Sequence, residues 1–275
     1  MTPDDIPAAA RLSRASGWNQ TEADWRFLVE GNPGRFVAAV HAGRLVGTGG
    51  AVCYSDVLAW ICMILVEEAE RRRGVGSSIV TAVLERVADV ETVGLDATPA
   101  GRFVYEQHGF AAVAALLRVG GPADEAARAA GRKHTRIVAD RDLEAIFRLD
   151  RSVFGADRSH ALRWSRTAAP ALAWCFVEGD ELAGYCFGRP GDRAVHVGPV
   201  VARDAAVART LIGSAATAMP QHELTLDVPV RAAWLSELAS LGLRERRSFT
   251  RMYRGAAAAP GLPGLLHAVF GPELG

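Results

Sequence analysis

Hydrophobic positions follow two regimes along the chain. From Asp5 to Arg14 and from Thr21 to Glu30 they recur at three- and four-residue spacing, which predicts two helices, with Thr21 and Asp24 suited to the first turn of the second. Phe36 to Val40, Leu45 to Tyr54 and Leu58 to Val66 are apolar runs separated by polar turns and read as three strands. Gly76 to Val90 returns to helical spacing, with Ile79, Val80, Val83, Leu84 and Val87 on one face. A strand from Thr92 to Asp96, a helix from Arg102 to Gln107 and a strand from Phe110 complete an α+β layer with mixed pairing.

The same order of elements recurs. FVAAVHAGRLVGTGG from Phe36 resembles WCFVEGDELAGYCFG from Trp174, with Gly47 and Gly184 at matching places 137 positions apart. VGLDATPAGRFVYEQHGF from Val93 resembles LTLDVPVRAAWLSELASLGL from Leu224, with Asp96 and Asp227 matched 131 positions apart. Two nearly equal offsets at corresponding points indicate a duplication. The expected division is a first domain over 1–120, a linker over 121–134 rich in Gly, Ala and charge, a second domain over 135–255, and a tail over 256–275. The tail is expected to pack through Leu265, Leu266, Val269 and Phe270.

Composition narrows the class. At 275 residues and 49% hydrophobic content the chain can bury a large core, and 31 basic residues balance 31 acidic ones. That balance disfavours nucleic acid and anionic membrane surfaces as partners. Cys53, Cys62, Cys175 and Cys186 lie singly in apolar runs, without metal-ligand or disulfide spacing, and read as core residues of a reduced compartment. No apolar stretch approaches the roughly 20 residues of a membrane span. The N-terminus MTPDDIPAAARLSR lacks the basic start and apolar core of a secretory signal, so a cytoplasmic location is expected.

The chemistry concentrates in MILVEEAERRRGVGSSIV, where a buried strand enters a basic turn with two glycines and then a helix. Gly74 and Gly76 let a backbone approach a ligand closely, and the helix N-terminus offers unpaired N–H groups to an anion. Arg71, Arg72 and Arg73 add positive charge beside Val75 and Ser77. A Walker loop is excluded because no Gly-Lys-Ser/Thr follows, and a dinucleotide fingerprint because the third glycine is missing. The segment V-x-x-x-x-R-x-x-G-x-G from Val66 resembles the pyrophosphate-binding segment of GNAT acetyltransferases. GWNQTEADWRFLVEGNPGRFVA, LAWICMILV and LDATPAGRFVYEQHGF are similar to bacterial tandem GNAT proteins, in which a complete acetyltransferase domain precedes a diverged one.

That resemblance implies two GNAT-like domains, each with a mixed, mostly antiparallel sheet flanked by helices. It implies an acetyl-CoA-dependent N-acetyltransferase that moves the acetyl group to a primary amine of a small molecule by direct attack. The cofactor would lie along Ile64, Leu65 and Val66 and over the loop from Arg71 to Ser77, with main-chain groups of Ile64 and Val66 orienting the thioester. Tyr105 occupies the place of the acid that protonates the leaving thiolate. Trp18, Asn19 and Trp25 fall on the segments that wall the acceptor.

The general base stays open. Asp96 ends a strand near the cofactor opening and is a candidate, but Asp before a Thr-Pro turn also suits a cap. Glu67 and Glu68 suit a solvated rim, and His108 suits a helix end. In the second half VVARDAAVART replaces the glycine loop and no tyrosine answers to Tyr105, so loss of CoA binding is expected there. Its expected work is to pack on the first half and help select the acceptor, and a homodimer is compatible with the whole. The competing class is a non-catalytic acyl-CoA sensor or interaction protein, because a binding motif does not establish turnover.

Overall fold

Two helices open the computed structural model, α1 (Ile6–Ala15) and α2 (Glu22–Gly31). The structure describes all residues except 123–124, 132–133 and 257–258, and the side chain of residue 126. Thr21 begins α2 with a reciprocal cap: its N–H donates to Asp24 Oδ2 at 2.6 Å, and the Asp24 N–H donates to the Thr21 hydroxyl at 3.3 Å. Trp25 is fully buried and donates its indole N–H to Ser13 Oγ at 2.9 Å, which pins α2 to α1.

Strands β1 (Phe36–His41), β2 (Arg44–Tyr54) and β3 (Leu58–Val66) form an antiparallel meander. Helix α3 (Val75–Arg86) carries the chain to β4 (Thr92–Ala97), parallel to β3, and α4 (Arg102–Gln107) and β5 (Ala111–Pro122) follow. The second series is α5 (Glu125–Ala130), β6 (Thr135–Ile137), α6 (Leu143–Phe154), α7 (Ser159–Ala168), β7 (Trp174–Glu178), β8 (Glu181–Arg189), β9 (Val195–Ala202), α8 (Ala205–Ala218), β10 (Glu223–Pro229), α9 (Ala232–Ser240), β11 (Arg244–Arg254) and β12 (Leu266–Ala268). Within the stretch expected to join the halves, α5 packs on α8, and residues 123–124 and 132–133 of that stretch lie outside the described residues. Among the described residues no helix is long and apolar enough to cross a membrane.

The matched glycines do the same work in each series. A Cβ on Gly47 would meet Ile79 Cδ1 of α3 at 2.8 Å, and one on Gly184 would meet Val207 Cγ1 of α8 at 3.0 Å. Each glycine therefore lets a crossover helix lie close on the second strand of its meander.

Compactness divides the chain into Met1–Val113 with Thr250–Ala258 and Leu274 as unit one, and Ala114–Phe249 with Ala259–Glu273 and Gly275 as unit two. These differ from the contiguous stretches 1–120 and 135–255, because each sheet takes its last strand from the other half of the sequence. In unit one, Thr250–Arg254 of β11 lies antiparallel to β4, from Thr250 opposite Ala97 to Arg254 opposite Val93. In unit two, Leu116–Pro122 of β5 lies antiparallel to β10, from Leu116 opposite Pro229 to Pro122 opposite Glu223.

A buried bidentate ion pair locks each exchanged strand. Arg251 Nε and Nη2 each reach a different oxygen of Asp96 at 2.8 Å, with the guanidinium 4.7 Å from the Trp60 ring. Arg118 Nε and Nη2 hold Asp227 with the same two 2.8 Å bonds, with the guanidinium 5.2 Å from Phe249. Burial pushes the Asp227 carboxyl up, but the charge and hydrogen bonds of Arg118 outweigh it and hold the group below the usual carboxylate range. Arg251→Ala would strand the Asp96 carboxylate, so we expect a loss of about 3–5 kcal/mol in unfolding free energy. The double variant Asp96→Ala/Arg251→Ala should lose clearly less than the sum of the single losses in denaturant titrations, and strict additivity would show the two side chains to be independent.

Unit two also buries two histidines with lowered pKa. Burial holds His196 down to about 3 and His267 down to about 4. An unfolded chain takes up these protons near pH 6.5, so the contribution to stability is whole above about pH 6.5 and is lost as pH falls toward 4. Melting temperature should drop between pH 7.5 and 5, and His267→Gln should reduce that slope. An unchanged slope would remove His267 from the account.

Candidate active site

The sheet of unit one opens between β3 and β4. The two strands pair only at Leu58 with Thr92, Ala59 with Val93 and Trp60 with Gly94, although β3 runs on to Val66 and β4 to Ala97. The divergence coincides with a bulge: Thr48 pairs with Leu65 and Gly50 with Cys62, so Met63 and Ile64 together face Gly49, and Met63 takes a φ of 56°. The Glu67 N–H donates to Val46 O at 2.8 Å, on the β2 side. Strand alternation therefore turns the main-chain groups of Val66 and Ile64 toward the opening and those of Leu65 toward β2.

Below this opening the chain enters the basic loop. Arg71 Nε donates to Val66 O at 3.1 Å, and Arg73 Nη1 donates to Glu70 Oε2 at 3.1 Å. Arg72, with φ 61°, makes no ion pair among the described residues. Gly74 adopts φ 81° as the residue before α3, and it supplies no side-chain cap. The first helical bond runs from Ser78 N–H to Gly74 O at 3.0 Å, so the amides of Val75, Gly76 and Ser77 belong to the unspent first turn. A Cβ on Gly74 would meet nothing within 4 Å, and one on Gly76 only Val66 Cγ2 at 3.7 Å. The positive φ explains Gly74. Among the described residues no contact requires a glycine at 76, and the space beside it holds no side chain closer than Val66.

Tyr105 lies on α4 with its ring edge-on to Phe110, at 6.0 Å and 70°. Burial, with a smaller contribution from neighbouring Cys62, raises its pKa far above the usual phenol value. The hydroxyl stays protonated and donates to no group among the described residues. Asp96 was a base candidate in the sequence, but both its oxygens are held by Arg251 and its side chain is 1% exposed. The geometry makes it a strand lock. Trp25 likewise corrects the acceptor-wall expectation, since its side chain is sealed between α1 and α2, whereas Trp18 and Asn19 are half-buried in the connection between those helices. Glu67 pairs with Arg44 at 2.6 Å and Glu68 is exposed. His108 is engaged on both nitrogens, with Val104 O at 2.8 Å and the Thr81 hydroxyl at 3.1 Å.

Unit two repeats the framework with its helix start capped by a side chain. Strands β9 and β10 pair only at Val195 with Leu224 and His196 with Thr225 before they part. The helix that follows β9 is capped by Asp204, whose Oδ1 accepts from Val207 N–H at 2.9 Å. That backbone bond, with help from Arg203, holds the Asp204 carboxyl below its usual range. Unit one has a bare glycine at this point, and unit two has a carboxylate of its own.

The acetyltransferase (GNAT) domain family matches this chain twice, over residues 32–112 and 146–268. The chain belongs to the GNAT superfamily as a tandem of two such domains, and it is an acetyltransferase. It is 22% identical over 226 residues to the "Uncharacterized N-acetyltransferase YitH" of Bacillus subtilis (strain 168), covering 82% of this chain and 79% of that protein. Its fold is similar to the crystal structure of a "Putative Acetyltransferase" from Pyrococcus horikoshii, with TM-score 0.81 and 22% identity over 100% of this chain and 94% of the other. A GCN5-related N-acetyltransferase from Sphaerobacter thermophilus is similar at TM-score 0.65 and 18% identity, over 94% of this chain and 96% of the other.

The bare helix start yields a direct test. Pyrophosphate should raise the melting temperature of the wild-type protein. Gly76→Ala should keep or raise the ligand-free melting temperature, since alanine is favoured in a helix by up to about 1 kcal/mol, while abolishing the pyrophosphate shift. A variant that still responds would show that the space at Gly76 is not where the anion sits.

Proposed function

We propose that unit one transfers an acetyl group from acetyl-CoA to a primary amine of a small molecule. The observation that carries this reading is the conjunction of two open features in one unit: the part of β3 unpaired by β4, and the uncapped glycine-rich start of α3. Acetyl-CoA is a long, jointed ligand with a diphosphate at one end and an amide-bearing arm leading to the thioester. The amides of Val75, Gly76 and Ser77, with the helix dipole and Arg72, suit the diphosphate. The main chain of Ile64 and Val66 suits the amide-bearing arm, which would run along β3 as an added strand does.

In the proposed reaction the amine nitrogen attacks the thioester carbonyl, the carbon–sulfur bond breaks, and CoA leaves as its thiol. Tyr105 gives its phenolic proton to the departing sulfur and regains one from solvent, a role that its raised pKa permits because the proton is present at neutral pH. The proton lost by the amine goes to solvent, since Asp96 is fully committed to Arg251. Trp18 and Asn19 form part of the acceptor wall in this reading.

Incubation with acetyl-CoA and a panel of small amines should release free CoA thiol in proportion to acetylated amine. Binding of acetyl-CoA without thiol release across the panel would favour a sensor over an enzyme of this specificity. Tyr105→Phe should lower turnover by about 10²–10⁴ with acetyl-CoA affinity nearly unchanged, because the hydroxyl acts only as sulfur leaves. Full turnover in that variant would make Tyr105 a packing residue and give the sulfur proton to water.

A further inference from the structure

In unit two the gap between the parting strands β9 and β10 is filled by polypeptide. Leu266 and Ala268 of β12 pair antiparallel with Val201 and Val200 of β9. On the far side the Val269 N–H donates to Asp227 O of β10 at 2.8 Å. The segment thus bridges the two strands through its main chain, in the slot that corresponds to the opening of unit one.

Side-chain contacts make the fit selective. The indole N–H of Trp234 donates to His267 O at 2.9 Å, with the two rings edge-on at 4.9 Å. Phe270 is fully buried and lies 5.4 Å from the Arg158 guanidinium, and its carbonyl accepts from Arg189 Nη1 at 3.4 Å. Arg189 also forms an ion pair with Glu273, with both side chains at most 5% exposed. A Cβ on Gly198 would stand 2.0 Å from Val269 O, so the slot wall is shaped to the bound backbone. With Asp204 already on the helix start, both places where a nucleotide-bearing thioester would lie are taken by groups of the chain itself.

We propose that unit two has become a receptor for an extended peptide, and that its ligand is the segment Leu266–Glu273 of the same chain. Main-chain ladder bonds supply affinity, as in strand addition at a sheet edge, and the Phe270 pocket with the Arg189–Glu273 pair supplies specificity. This goes beyond the transfer reading and stands whether or not unit one turns acetyl-CoA over.

The test uses the full chain with a protease site inserted after Gly264, an exposed position where a Cβ would meet nothing within 4 Å. After cleavage the released fragment, residues 265–275, should co-elute with the body on gel filtration. A labelled synthetic peptide of the same sequence should exchange into the slot. Tyr54→Phe removes the 2.8 Å bond to Leu274 O outside the slot and should leave retention unchanged. Gly198→Ala should speed fragment loss at least ~10-fold, since weakened contacts show mainly in dissociation rates. Loss of the fragment from the cleaved wild-type protein would overturn the proposal. Undiminished retention by a folded Gly198→Ala body would do the same, and circular dichroism of each body establishes that it is folded. The acetyl-CoA melting shift, followed in parallel, reports on unit one separately.

Discussion

Two neighbouring strands that part company leave backbone N–H and C=O groups without a ladder, and a buried backbone cannot leave them so. Most of what is distinctive in this protein answers that constraint. In unit one the strands part after Trp60 and Gly94, and the main chain of Ile64 and Val66 is turned toward the opening, where Arg71 donates to Val66 O. In unit two the corresponding strands part after His196 and Thr225, and β12 closes the ladder from within. The same fold thus yields one unit suited to a visiting ligand and one that carries its own.

The helix starts tell the same story in electrostatic form. A helix N-terminus presents four donors and a partial positive charge, and something must answer them. Asp204 answers them in unit two, whereas Gly74 and Gly76 leave them open in unit one. One substitution class, a short acidic residue against a glycine, separates a helix capped by its own side chain from one without a side-chain cap. The exchanged strands, with Arg251 on Asp96 and Arg118 on Asp227, hold both frameworks in place by pairs that water reaches poorly.

Much of this was legible in the sequence, for local reasons. The pairs Gly47/Gly184 and Asp96/Asp227 exposed the duplication because each glycine sits beneath a helix and each aspartate holds an arginine of the neighbouring exchanged strand, so both are fixed by the fold. The loop from Arg71 to Gly76 was legible because glycine before a helix carries a backbone meaning. Strand exchange was not, since the alternation in β5 and β11 says that they are strands without saying which edge they join. Asp96 was misjudged as a base candidate for that reason: its partner lies 155 positions away. Trp25 was placed with the acceptor wall because its hydrogen bond to Ser13 is tertiary. Gly and Pro around Leu266–Ala268 hid a short strand whose order comes from the slot it occupies. A pattern could have exposed the locks, since an arginine recurs in β5 and β11 to match the repeated Leu-Asp.

The strand exchange also sets an order of events on the ribosome. Unit one has all its residues up to Val113 early, but its sheet lacks Thr250–Arg254 until 141 further residues have been made, roughly 7–28 s at ordinary rates of synthesis. Throughout that interval the β4 edge and the carboxylate of Asp96 are without the strand and the cation that complete them. The nascent first half is therefore a waiting intermediate with an open edge, the kind of surface that chaperones bind and that pairs with the wrong chain when they do not. A gene truncated between the halves would encode that intermediate as its final product.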